Sequence, residues 1–166
     1  MEPYWRLVIN GLPTGERMHQ TGPAVTCACG NGRSNREHHY WACDVAVAVV
    51  TAMTDGLQHW QPTLPGPLRA NVWLMQPPRG VHQDLWDIVC LAGVAAMDYG
   101  RRLLYHPAAP EQRRAAAPAH AAARFWALLT QYCEIHAPRN WLGSALDNQP
   151  FITRSPDGRA MVSPPP

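Results

Sequence analysis

Between Cys27 and Cys43 the chain reads CACGNGRSNREHHYWAC, which places three of its five cysteines within seventeen residues and a histidine pair between them. The spacing Cys27-x-Cys29-x8-His38-x4-Cys43 is a Cys3His set. Thiolates and an imidazole converging at about 2.0–2.3 Å close a tetrahedral zinc site. The stretch therefore predicts Cys27, Cys29, His38 and Cys43 as ligands of one Zn2+, against the competing reading of a chance cluster of buried cysteines. Gly30, directly after Cys29, suits a turn that folds backbone amides back toward the thiolates, because glycine tolerates positive φ. His38 and Cys43 are five apart, and a regular helix would separate them by about 140°. The expectation is a turn or an irregular helical turn between them, with His39, four before Cys43, as the geometric rival.

Composition agrees with a metal rather than disulfides. Five cysteines, an odd number, without a secretory leader point to a reducing compartment, intracellular and either nuclear or cytoplasmic. No apolar run reaches the roughly 18–20 residues of a membrane span; the run from Val81 comes nearest and is broken by Asp84, Asp87 and Asp98. At 166 residues the chain is long enough for one domain with a real core, and 46% hydrophobic residues argue for a folded body. Seventeen prolines require long irregular stretches. A net charge of +2 gives no whole-chain electrostatic case for nucleic acid.

The apolar periodicity predicts a mainly α fold: a small N-terminal zinc knuckle leading into a three- to four-helix body with long Pro-rich loops. Residues 3–10 read as a brief helix. A second helix runs from Asp44 to about Asp55, stopped by Gly56. Residues 57–80 hold five prolines and read as a wandering connection, with Val72 to Met75 as a short strand or anchor. The central helix spans about 81–105, with Asp84 and Asp87 at its start and Arg101 and Arg102 at its end, the order that the helix dipole favours. After a linker at 107–117 exposing Arg113 and Arg114, a last helix carries Pro118 in its first turn and points Phe125, Leu128, Leu129, Tyr132 and Ile135 inward. Cys90 and Cys133 read as core. The implied division is a zinc-binding region at 1–56, a helical region packed on it at 57–152 and a disordered tail at 153–166.

The segment around the cysteines resembles a known family. Tyr4-Trp5-Arg6-Leu7, then Leu12-Pro13-Thr14 with Arg17, then Cys27, Cys29-Gly30, Glu37-His38 and Cys43, with Tyr40 and Trp41 between the last two ligands, resemble the zinc-binding region of non-LTR retrotransposon reverse transcriptases. The likeness covers roughly residues 4–50, and the rest resembles, more loosely, the helical tail that follows this region in such elements. The resemblance implies a non-catalytic piece downstream of the polymerase domain of the same polyprotein, bound to RNA or DNA. Arg17, Arg33, Arg36 and Tyr40 would be its contacts, arginines for phosphate and an aromatic ring for a base. Arg33 and Arg36 have an alternative role, since three thiolates, an imidazole and zinc carry a net charge of −1 that nearby arginines offset.

Catalytic signatures are missing from the sequence: there is no Asp-Asp pair for a two-metal polymerase site, no Gly-rich phosphate loop and no His-Glu-x-x-His. Ser155-Pro156-Asp157-Gly158 reads as a β-turn rather than an endonuclease motif, as no lysine occurs in the chain. Three classes of function remain in order: a zinc-stabilised nucleic-acid-binding module, a structural zinc domain that scaffolds other protein parts, and an enzyme whose site the sequence does not display.

Overall fold

The apolar faces predicted from periodicity become three long helices and several short ones. The computed structural model describes residues 2–9, 11, 14, 18, 26–106, 111–136, 148–154, 156, 160–162 and 164–165. In chain order the elements are α1 (Glu2–Val8), a π-helical turn (His38–Ala42), α2 (Asp44–Trp60), α3 (Arg69–Trp73), α4 (Gln83–Tyr105), α5 (Glu111–Ala115), α6 (Ala117–His136) and the strands β1 (Ile152–Arg154) and β2 (Ala160–Val162). The fold is mainly α, as its sequence predicts. No described helix is long and apolar enough to cross a membrane.

α4 is central because it is apolar around most of its circumference. Leu85, Trp86, Val89, Cys90, Ala96 and Met97 are all fully buried. The helix packs against α6 on one side and α2 on another, α2 and α6 also touch, and α1 lies across α4. At Gly100 the three long helices meet. A Cβ there would stand 2.5 Å from Val45 Cγ1 of α2 and 2.8 Å from Ala121 Cβ of α6, so only glycine lets the backbones approach. His82 caps α4, its side chain accepting from the Asp84 amide at 3.3 Å, and this satisfies one of the orphan donors of the first turn.

Several elements depart from the sequence reading, each for a tertiary reason. α2 continues past Gly56 to Trp60, and Gly56 is buried inside it. Added side-chain volume at that position would collide with the ring of Phe151 and meet Trp126, so this glycine is a packing position rather than a stop. The stretch at 72–75 is an anchor but not a strand. Val72 is fully buried on α3, and Trp86 Nε1 donates to the Asn71 carbonyl at 2.8 Å, which satisfies the indole and fastens the Pro-rich connection to α4. Part of the linker, 111–115, is helical with Arg113 and Arg114 exposed. Ile135, expected inward, is exposed, while Cys133 is buried in its place.

The C-terminal segment is also more ordered than its composition suggests. Ile152, Thr153 and Arg154 pair antiparallel with Val162, Met161 and Ala160. Ile152 is buried, and Val162 packs against the core with β2 lying on α6. At these described positions a paired ladder stands where the sequence suggests a disordered tail at 153–166; the Ser-Pro-Asp-Gly reading falls largely outside the described residues. Phe151, just before β1, stacks edge-on against Phe125 at 6.4 Å between centroids and seals the end of the core.

Candidate metal centre

The first two ligands sit on a tight knuckle. Cys27 N donates to Gly32 O at 2.7 Å and Gly30 N to Cys27 O at 2.9 Å, so the chain reverses within six residues. Gly30 takes φ +85°, the left-handed conformation that glycine adopts without a Cβ penalty. That reversal turns the Asn31 amide onto Cys29 Sγ at 3.5 Å. Gly32 is constrained differently: a Cβ there would lie 2.6 Å from His38 Nδ1, so its bare backbone makes room for the imidazole.

The other two ligands come from the π-helical turn and its end. Asn35 Oδ1 accepts from His38 N at 2.8 Å and fixes the start of the turn. Cys43 N then donates to His38 O at 2.6 Å, the five-residue bond that defines a π turn. This bonding puts residues five apart, rather than four, on a common face. It resolves the angular conflict of the His38–Cys43 spacing in favour of His38.

The four donors converge. One ligand atom each from Cys27, Cys29, His38 and Cys43 lie within 4.8 Å of one another. Cys27 Sγ and Cys43 Sγ are 4.0 Å apart, and Cys29 Sγ is 3.1 Å from His38 Nε2. Tetrahedral zinc with bonds of about 2.0–2.3 Å needs edges of roughly 3.3–3.8 Å, so shifts of at most about 1 Å close the site. Cys27, Cys43 and His38 are buried and Cys29 is half-buried. The donor set and its geometry can hold a metal ion.

The electrostatics of the three thiols point the same way. Cys27 is held far below the ordinary thiol range, chiefly by the hydrogen bond from Cys43 and further by His39 and the Cys29 amide, against the cost of burial. Cys43 is pushed far up, first by its bond to Cys27 and then by burial. Cys29 is raised mainly by burial. A bound cation would favour the thiolate form of all three, because cysteine ligands bind metal deprotonated. Cys43 is the residue before α2, so the positive end of a 17-residue helix lies beside the cluster.

The surroundings contain residues that no local pattern signals. Asn31 Nδ2 donates to both oxygens of Asp44, at 3.2 and 3.0 Å, and ties the knuckle to the start of α2. Ser34 Oγ is 2.8 Å from His39 Nε2 and 3.3 Å from the Tyr105 hydroxyl, which reaches the knuckle from the last residue of α4. Sixty-odd residues separate Tyr105 from the last ligand in sequence, so no local pattern signals it.

Of the proposed nucleic-acid contacts, Arg17 lies outside the described residues. Arg33 is exposed on the knuckle. Arg36 donates to Leu7 O at 3.3 Å and lies over the Trp73 ring at 5.1 Å, so it ties the knuckle to the N-terminal helix. Arg69 also lies over Trp73, at 5.3 Å, and pairs with Glu37. Tyr40 is corrected outright. It is fully buried, its hydroxyl donates to Asp98 at 3.2 Å, and Trp73 Nε1 donates to its carbonyl at 3.3 Å, so its ring is closed to a base.

Comparison with protein-family models, curated proteins and solved structures returns no match.

Proposed function

We propose that Cys27, Cys29, His38 and Cys43 hold one structural zinc ion, and that the chain is a zinc-stabilised nucleic-acid-binding module without a catalytic role. The convergence of four protein donors within 4.8 Å carries the first half of this reading. Structural sites are closed by four protein ligands, whereas catalytic zinc keeps one position for water or substrate. The bound ion would neutralise the thiolates and lock the knuckle against α2.

Support for the second half comes from the resemblance to the zinc region of non-LTR reverse transcriptases and from the exposed arginines near the metal, Arg33 and Arg69. On this reading the partner is single-stranded RNA or DNA, and the upstream polymerase domain of the same polyprotein is the neighbour. Anisotropy of a labelled single-stranded oligonucleotide tests it. Affinity should fall as salt rises, and Arg33→Ala with Arg69→Ala should reduce the salt slope by about 1 per lost phosphate contact. Binding that is absent or insensitive to salt and to both variants would overturn the nucleic-acid half.

One observation favours a second reading, a zinc domain that scaffolds neighbouring protein parts. Arg36 and Arg69 are already engaged with Trp73, Leu7 O and Glu37, and Tyr40 is buried. On that account the arginines hold the surface of the module together, and the same titration shows no oligonucleotide binding.

A further inference from the structure

His39 stands beside the metal ligands without being one of them. It is 1% exposed, so both of its ring nitrogens need partners inside the protein. Nδ1 lies 3.7 Å from Cys27 Sγ, and Nε2 lies 2.8 Å from Ser34 Oγ. Ser34 Oγ in turn is 3.3 Å from the Tyr105 hydroxyl, and the Ala28 amide donates to that hydroxyl at 3.3 Å. The Tyr105 ring meets the imidazole edge-on at 5.7 Å between centroids and fixes its plane.

The direction of this chain follows from one constraint. A metal-bound thiolate has no proton and can only accept. His39 must therefore carry its proton on Nδ1 and present it to Cys27. A neutral imidazole with Nδ1 protonated has a bare Nε2, which accepts from Ser34 Oγ–H. Ser34 then accepts from the Tyr105 hydroxyl. Every donor along the line points toward the sulfur.

We propose that His39 is a positioning residue for the metal centre, donating from Nδ1 to the Cys27 thiolate, and that Ser34 and Tyr105 fix its tautomer and couple the site to the C-terminal end of α4. The proposal rests on the metal-centre reading above. Outer partners of this kind set ligand orientation and charge, and their loss typically costs about 10–100-fold in metal affinity. His39 thereby does for Cys27 what the Asn31 amide does for Cys29.

The test uses the full chain with cobalt(II) and zinc as probes. Affinity is read by competition with a chromophoric chelator, and ligand identity by the cobalt absorption spectrum. His39→Leu should keep one metal per chain and an unchanged cobalt spectrum while affinity falls about 10–100-fold. Tyr105→Phe should fall by less. His39→Asn, whose amide nitrogen can occupy the place of Nδ1, should restore most of the loss; a role in packing alone predicts no such rescue. Nitrogen NMR of the zinc-loaded wild type should show the His39 proton on Nδ1, a readout that needs no variant. An unchanged affinity in His39→Leu, or a His39 proton on Nε2, overturns this proposal and leaves the metal centre standing. A cobalt spectrum that loses its nitrogen ligand in His39→Leu makes His39 the ligand and overturns it as well. A wild type that takes up neither metal overturns the metal centre and this proposal together.

Discussion

The amide of Cys43 donates to the carbonyl of His38 at 2.6 Å, and this single bond sets the geometry of the cluster. It replaces the four-residue step of an α-helix with a five-residue one, so the imidazole of His38 and the sulfur of Cys43 face the same point. Single-turn π segments of this kind recur at functional sites. His38→Ala is expected to abolish tight zinc binding, and His39→Ala to weaken it without changing the stoichiometry. The reverse ranking, measured by metal content after dialysis, would mean that the turn is a regular helix in solution.

Gly32→Ala probes the space beside that imidazole. The new methyl would lie 2.6 Å from His38 Nδ1, and the ring, held by its own ligation, has little room to yield. Overpacking of this sort costs about 1–3 kcal/mol. The expected outcome is at least a tenfold loss of zinc affinity, with the far-ultraviolet circular dichroism of α4 and α6 unchanged. Unchanged affinity would show that the knuckle moves freely over the histidine.

For Gly56→Ala two effects oppose each other. Helix propensity alone favours alanine by about 1 kcal/mol. The site lies against Phe151 and Trp126, however, and the rings have to move to admit a methyl group. Overpacking, at about 1–3 kcal/mol, should win, so a net loss of stability is expected in urea unfolding. A gain would mean that the C-terminal segment does not rest on α2.

The Asp98 carboxylate is nearly buried and takes bonds from Tyr40 OH at 3.2 Å, Arg101 at 3.2 Å and Arg102 at 2.8 Å. Removing one partner of a buried charge pair typically costs about 3–5 kcal/mol. Asp98→Ala is expected to destabilise the whole chain within that range and also to lower zinc affinity, because Tyr40 belongs to the π turn. If stability falls while zinc affinity is untouched, the turn does not depend on α4.

Burial pushes the Cys133 thiol up to about 12, with Glu134 adding to the shift, from an ordinary value of 9.0. Below about 9 both the folded and unfolded chains keep this proton, and its contribution to stability is constant. Between about 9 and 12 the unfolded chain ionises while the native one does not, so stability falls as pH rises through this window, by about 1.4 kcal/mol per pH unit from this group. The measurement is urea unfolding at pH 8 and pH 10, where Cys133→Ala should flatten the difference by that amount. An identical pH slope in the variant would place Cys133 in contact with solvent.

What could be read from the sequence was whatever is local. The ligand spacing, the apolar run that became α4, Pro118 in the first turn of α6 and the cores around Val49 and Phe125 are periodic or adjacent, and they lie where the periodicity puts them. Gly56 reads as a stop in the sequence because glycine ends a helix when exposed but permits close approach when buried, and only the placement of Phe151 tells the two apart. Tyr40 carries an aromatic ring that suits either a base or a core, and its partner Asp98 lies 58 residues away. The second partner of the site, Tyr105, is equally remote.

The most direct test of the account is metal analysis of the full chain purified without chelator, combined with X-ray absorption at the zinc edge. The account predicts one zinc per chain bound by three sulfurs and one nitrogen, with the nitrogen lost in His38→Ala and retained in His39→Ala. A metal-free chain that keeps its fold, or a zinc shell with fewer than three sulfurs, would contradict it.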